Sequence, residues 1–244
     1  MKIVHDDFYK PNDFIFYGKE KNDFYIGVEL EVNTKKFETD NLVLFLNDVN
    51  ESENFIYFKK DCSVNNGVEI VSHPATIQYH KNSNEWKQIF EKINKYNITY
   101  GANCGLHFHI TRSFFSLDNI QVMDYFINSR DKIVTLLKKI GGREFSGYCQ
   151  RRNKNINSWG MVRGDHFSSF NFSNRKTLEF RFCNTTNDIN IFFKRMELIY
   201  CIAHFSKQYM FSKIVEMTTD NMYNEFKKFV FNNNVSFVKR IDFK

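Results

Sequence analysis

Long apolar runs are missing from this sequence of 244 residues. No window approaches the roughly 18 apolar residues that a membrane-spanning helix needs, so we expect no membrane span. The first 23 residues, MKIVHDDFYKPNDFIFYGKEKND, contain no long uncharged apolar stretch, which argues against a signal peptide. The cytoplasm is therefore the expected location of this chain.

Cysteine pairs are missing as well. The five cysteines are odd in number and lie far apart, at positions 62, 104, 149, 183 and 201. They form neither a CxxC pair nor the spacing of a zinc site or a disulfide framework, so reduced thiols are the expected state. Cys104 precedes a histidine at 107, but the two side chains would fall on opposite faces of a regular strand. We therefore assign no Cys–His nucleophile.

No strong excess of one charge is present. Lys and Arg total 34 against 28 Asp and Glu, which gives a net charge of +6. The excess is modest and scattered, so a nucleic acid or another polyanion is permitted as a partner, but there is no dedicated basic arm. The Gly-Gly pair at 141–142 also lacks the surrounding pattern of a phosphate-binding loop.

Apolar and aromatic side chains are abundant. Hydrophobic residues make up 42% of the chain and aromatic residues 17%, including 28 Phe, which is typical of an ordered globular protein. The length allows one large domain or at most two small ones. Because no repeat, linker or break in composition is present, we predict a single domain over 1–244, with a core over 24–210 and a C-terminal helical extension over 211–244.

Helix and strand patterns follow one another irregularly. Apolar residues recur at helical spacing in four segments, 82–96, 116–140, 186–210 and 220–233. Six segments read as strands: 24–33, 55–64, 67–73, 105–110, 168–173 and 177–184. The turn-rich residues 64–67 predict a hairpin between the second and third strands. We therefore predict an α+β fold, in which a mostly antiparallel sheet of about six strands has helices packed on one face.

The strand at 105–110, GLHFHI, raises a question about its two histidines. Side chains alternate between the faces of a strand, so His107 and His109 would share one face, opposite Leu106, Phe108 and Ile110. A satisfied, partly exposed histidine pair would explain this strand taken alone.

Three further strands also carry their charged side chains on the face opposite their apolar side chains. In GVELEV, Glu29 and Glu31 share a face; in GVEIV, Glu69 lies opposite apolar residues; in TLEFRF, Glu179 and Arg181 share a face. An ordinary solvated sheet face would instead mix Thr, Ser, Lys, Gln and Tyr. The sequence therefore predicts one apolar face that helices cover and one face of Glu, His and Arg.

Asp61, in KKDCSV, adds a fifth carboxylate near the predicted hairpin. Five carboxylates on one surface would repel one another and raise their own pKa values unless cations lay among them. Oxygen ligands with one or two imidazoles suit Mg²⁺ or Mn²⁺. Zinc is disfavoured because no thiolate joins the set.

The ordered set GVELEV, DCSVNNGVEI, CGLHFHI and TLEFRFCNTT resembles the carboxylate–amine ligase superfamily of glutamine synthetase and glutamate–cysteine ligase. In size and motif it is most similar to the amidoligase family of bacteria and phages. The resemblance covers about residues 24–186 and implies a curved sheet like that of the glutamine synthetase catalytic domain. If a phage encodes the chain, the location becomes the host cytoplasm.

The resemblance also implies a reaction and a ligand set. The reaction would be ATP-dependent amide or peptide-like bond formation between a carboxylate substrate and an amine substrate, through an acyl phosphate. Metal ligands would be Glu31, Asp61 and Glu69 for one ion, and Glu29, His107 and Glu179 for a second. The catalytic residues would be Glu29, Glu31 and Arg181.

The arginines and the second histidine are the expected ATP contacts. The planar fork of Arg181 suits the γ-phosphate, although a salt bridge to Glu179 is the alternative. His109 would contact substrate or support another ligand. Arg143 and Arg163 lie in the irregular stretch 141–170, where relatives place nucleotide-binding arginines, but both could equally be solvated surface charges.

Two other functions are compatible with the same residues. One is a metal-dependent hydrolase or phosphotransferase, and the other is a catalytically silent binding module.

Overall fold

The computed structural model describes residues 5–19, 24–33, 55–61, 67–96, 98, 104–147, 149–151, 167–232 and 243. Six strands are present in these residues: β1 (Ile26–Asn33), β2 (Ile56–Asp61), β3 (Gly67–Ser72), β4 (Gly105–Thr111), β5 (Phe170–Asn171) and β6 (Thr177–Asn184). They form one sheet in the order β2-β3-β1-β4-β6-β5. The fold is α+β with an antiparallel sheet, as predicted.

The described residues also contain seven α-helices: α1 (Ile77–Asn82), α2 (Asn84–Lys95), α3 (Leu117–Asn128), α4 (Asp131–Gly141), α5 (Ile189–Phe205), α6 (Phe211–Glu216) and α7 (Thr219–Asn232). No helix in this part of the chain combines the length and the apolar character that crossing a bilayer requires. The four cysteines that the structure describes are buried and form no disulfide with one another, while Cys62 lies outside the described residues.

The predicted helix over 116–140 is two helices. Its start is as predicted, because Ser116 caps α3 and forms a reciprocal capping box with Asn119. The helix ends at Asn128, whose side-chain amide binds the carbonyl of Asp124, and Arg130 has an extended backbone. Such side-chain bonds to the backbone compete with helix continuation. The sequence pattern missed this break because both halves keep the same apolar spacing.

The predicted end of that segment is confirmed. Gly142 follows α4 with φ of 71°, the left-handed conformation that favours glycine at a helix C-terminus. Gly141 is needed for a different reason: a Cβ atom there would overlap the backbone oxygen of Phe182 in β6. The end of α4 therefore lies directly against β6.

The chain divides into two compact units that interleave along the sequence. Unit 1 consists of Met1–Phe108 with Asn184–Phe193, and unit 2 consists of His109–Cys183 with Lys194–Lys244. The single domain stays a prediction. Within the predicted C-terminal extension, the structure describes α6 and α7, while residues 233–242 and 244 lie outside the described residues.

In unit 1 the apolar phase of the strands faces helices. Phe108 of β4 contacts Phe192 at the start of α5, with ring centroids 6.3 Å apart, and Phe192 contacts Trp86 of α2 at 4.8 Å. Burying such large side chains stabilises the unit by about 2–3 kcal/mol for each ring. The opposite face of the same strands therefore carries the polar residues.

A buried histidine joins the helices of unit 1 to β1. His80 of α1 is fully buried; its Nε2 lies 2.8 Å from the carbonyl oxygen of Ile26, and Trp86 Nε1 donates to its Nδ1 at 3.0 Å. Burial lowers the pKa of His80 to about 4, which favours the neutral ring. In that form Nε2 carries the proton and donates to Ile26, so His80 is a structural residue.

Candidate metal site

Three neighbouring strands of unit 1 align their polar side chains in rows. The register of β2, β3 and β1 places Lys59 opposite Glu69, and Glu69 opposite Glu31. In the adjacent row, Asp61 lies opposite Gly67. The antiparallel β2–β3 pairing also confirms the predicted hairpin pairing, although its turn lies outside the described residues.

Glu31, Asp61 and Glu69, which we call the acid cluster, converge on this face. One carboxylate oxygen from each lies within 4.8 Å of the others. All three residues are at most 9% exposed. Glu31 and Glu69 are also direct cross-strand neighbours, a position in which like charges repel. The sequence-predicted ligands of the first metal are thus brought together.

Lys59 offsets part of this negative charge. Its Nζ lies 2.5 Å from Oε2 of Glu69, and both side chains are largely buried. Burial and the charges of Glu29 and Asp61 nevertheless raise the pKa of Glu69 to about 8, against the lowering effect of Lys59. Burial opposes protonation of Lys59, but the charges of Glu69 and Glu29 raise its pKa overall. One lysine is therefore insufficient to neutralise the cluster.

His107 lies between the two acids of β1. Its Nδ1 is 3.6 Å from carboxylate oxygens of both Glu29 and Glu31. Glu31 also accepts a hydrogen bond from the backbone N–H of Gly105 at 2.5 Å, and its carbonyl accepts one from the hydroxyl of Thr185 at 2.7 Å. These bonds hold the Glu31 side chain and backbone in place, as a metal ligand requires.

The donor chemistry of the acid cluster fits Mg²⁺ or Mn²⁺. Three carboxylates provide hard oxygen ligands, and no thiolate is among them. Oxygens around an octahedral ion at about 2.1 Å are separated by about 3–4 Å, which is compatible with the observed separations. Without a cation, the crowded carboxylates repel one another, which contributes to the raised pKa of Glu69.

Two residues of β2 on the same face were not among the predicted site residues. Tyr57 contacts the ring of Tyr9 at a centroid distance of 5.7 Å, and burial together with the charges of Glu29 and Glu69 raises its pKa. Lys59 is the second. Strand parity in FIYFKKDC places Tyr57, Lys59 and Asp61 together, so the signal was present in the sequence.

Unit 2 contains a second group of polar strand residues. Arg181 donates to Glu179 within β6, and Asn171 of β5 donates to the other oxygen of Glu179 at 2.9 Å. Arg181 and Glu179 are each 7% exposed. The salt bridge that the sequence left open as an alternative is therefore present, and a phosphate contact of Arg181 stays a prediction.

The other predicted ATP contacts have different positions. Arg143 donates to the carbonyl of Arg181 at 3.3 Å, so it lies beside β6 of unit 2. His109 is half-buried on β4 of unit 2. Arg163 lies outside the described residues. Comparison of the chain with known protein families and with curated proteins finds no match.

Proposed function

We propose that this protein is a metal-dependent, ATP-using carboxylate–amine ligase of the amidoligase kind. The observation that carries the proposal is the acid cluster, in which three adjacent strands each contribute one buried carboxylate to one small volume. A triphosphate and a carboxylate substrate repel each other, so this chemistry needs divalent cations between them. An acid cluster of this kind is a suitable holder for such a cation.

The proposal includes the finer features of the fold that the sequence resemblance implies. These are a curved sheet like that of the glutamine synthetase catalytic domain, helices on one face, and the cytoplasm as location. The packing of Phe108 and Trp86 around Phe192 supports the helix-covered face in unit 1. The alternation of buried apolar and acidic residues along β1 supports the opposite, polar face.

Each residue of the site has a definite task in this proposal. Glu31, Asp61 and Glu69 would hold Mg²⁺, which offsets the negative charge of phosphate oxygens when it is bound. His107, next to Glu29 and Glu31, would keep both carboxylates oriented. The chemical outcome is an amide bond between the carboxylate and the amine, with ADP and phosphate released.

The decisive experiment is an ATP-consumption assay with Mg²⁺ and pools of amino acids and small amines. Wild-type protein should release ADP only when a carboxylate and an amine are both present, and mass spectrometry should detect the amide product. Glu31→Gln keeps the shape of the side chain but removes its charge. It should lower turnover by at least about a hundredfold, as loss of other electrostatic contacts in active sites does.

The matched control is Glu91→Gln, at an exposed position on α2 of the same unit. This variant should keep wild-type turnover. Phosphate release without any amide product would favour the metal-dependent hydrolase or phosphotransferase instead. Absence of nucleotide binding would favour the binding module. Full activity of Glu31→Gln would show that the metal assignment is wrong.

A further inference from the structure

The acid cluster already contains a positive charge of its own. Lys59 Nζ lies 2.5 Å from Glu69 Oε2, and the two side chains are only 13% and 12% exposed. Their strands pair so that the two residues are directly opposite each other. An ammonium group this close forms an ion pair with the carboxylate and occupies space beside its oxygen. We propose that Lys59 is a built-in counter-ion that a divalent cation must displace, so that Lys59 limits the affinity of the acid cluster for metal.

The charges explain why the two cations exclude each other. Three carboxylates within 4.8 Å attract any cation, and the single charge of Lys59 offsets only part of their repulsion. A divalent ion offsets more of it, but it repels a positive ammonium in the same buried cluster. Metal binding therefore requires that Lys59 leave Glu69. The free energy needed to break this ion pair weakens the binding of the metal.

The neighbouring lysine provides a matched control within the same strand. Lys60 is exposed and points to the opposite side of β2, because side chains alternate along a strand. Lys59→Met and Lys60→Met remove the same charge one residue apart, and methionine keeps a similar side-chain length. Any difference between the two variants reports on contact with the acid cluster and not on net charge.

The experiment measures Mn²⁺ binding to purified full-length protein by electron paramagnetic resonance of the free ion. The inference rests on the proposed metal site, so wild-type protein is titrated first. Lys59→Met should bind Mn²⁺ at least about tenfold more tightly than wild type, and Lys60→Met should bind within about threefold of wild type. Lys59→Arg, which keeps the charge, should also stay within about threefold of wild type.

Two results would overturn the inference while leaving the proposed function intact. One is unchanged or weaker Mn²⁺ binding by Lys59→Met when wild type binds, which would mean that Lys59 supports Glu69 as a ligand. The other is equal tightening by Lys59→Arg. If neither wild type nor Lys59→Met binds Mn²⁺, the proposed metal function itself fails. Mn²⁺ binding by Lys59→Met alone would support the inference.

A second measurement uses the wild-type protein and does not depend on how well a variant folds. Nuclear magnetic resonance of ¹⁵N-labelled lysine side chains, assigned with Lys59→Arg, follows the Lys59 ammonium directly. Its signal should be protected from exchange in chelator and should shift and lose protection when Mg²⁺ is added. An unaltered signal at saturating Mg²⁺ would contradict displacement.

Discussion

The buried strand carboxylates of unit 1 and the buried Glu179 of unit 2 have different surroundings. In unit 1, carboxylate oxygens of Glu31, Asp61 and Glu69 lie within 4.8 Å of one another, and Lys59 pairs with Glu69. In unit 2, Glu179 is bound by the guanidinium of Arg181 and by an asparagine amide. Both groups are buried, and both lie on the polar phase of their strands. The close approach of three carboxylates, and not burial alone, makes the first group a candidate cation site.

A clear contrast is expected when Glu179 and Glu31 are each neutralised in the presence of a chelator. Glu179→Gln weakens a buried ion pair and leaves the charge of Arg181 less well compensated, which should lower the free energy of unfolding by about 3 kcal/mol. Glu31→Gln removes one of several mutually repelling charges. It should change the free energy of unfolding by no more than about 1 kcal/mol.

Chemical denaturation of both variants and wild type under identical conditions measures these changes. The two substitutions are chemically identical, so the comparison controls for the loss of a carboxylate. If Glu31→Gln lowered the free energy of unfolding as much as Glu179→Gln does, the difference assigned to the two sets of carboxylates would be wrong.

A second effect is expected from pH, again without divalent ions. The pKa of Glu69 is about 8 in the folded protein, against an ordinary value of 4.5. Between these values the folded state holds a proton that the unfolded state has released, so the contribution to stability is complete below pH 4.5 and is lost as pH rises towards 8. The slope is at most about 1.4 kcal/mol for each pH unit.

The measurement for this effect is the difference in unfolding free energy between wild type and Glu69→Gln, between about pH 5 and pH 8. Taking the difference removes other titrating groups, including His80, whose lowered pKa acts in the opposite direction. The difference should fall steadily with rising pH. A difference that rises with pH would contradict the role assigned to the crowded carboxylates.

Much of this arrangement could be predicted from strand parity. The alternation in GVELEV and GVEIV indicated which face would carry Glu31 and Glu69, and the turn residues indicated the β2–β3 pairing. The role of Lys59 could not be predicted in the same way. Parity places Lys59 on the face of Asp61, but its partner Glu69 is set by the register between β2 and β3, which the sequence of β2 alone does not show. Parity places Arg181 and Glu179 on the same face of β6. It does not show whether their side chains turn towards each other and pair.

The most direct test of the central claim is an anomalous diffraction experiment on crystals containing Mn²⁺. The account predicts an anomalous peak about 2.2 Å from one carboxylate oxygen each of Glu31, Asp61 and Glu69, and loss of this peak in Glu31→Gln crystals. A map from well-ordered wild-type crystals at saturating Mn²⁺ with no peak among these three carboxylates would contradict it.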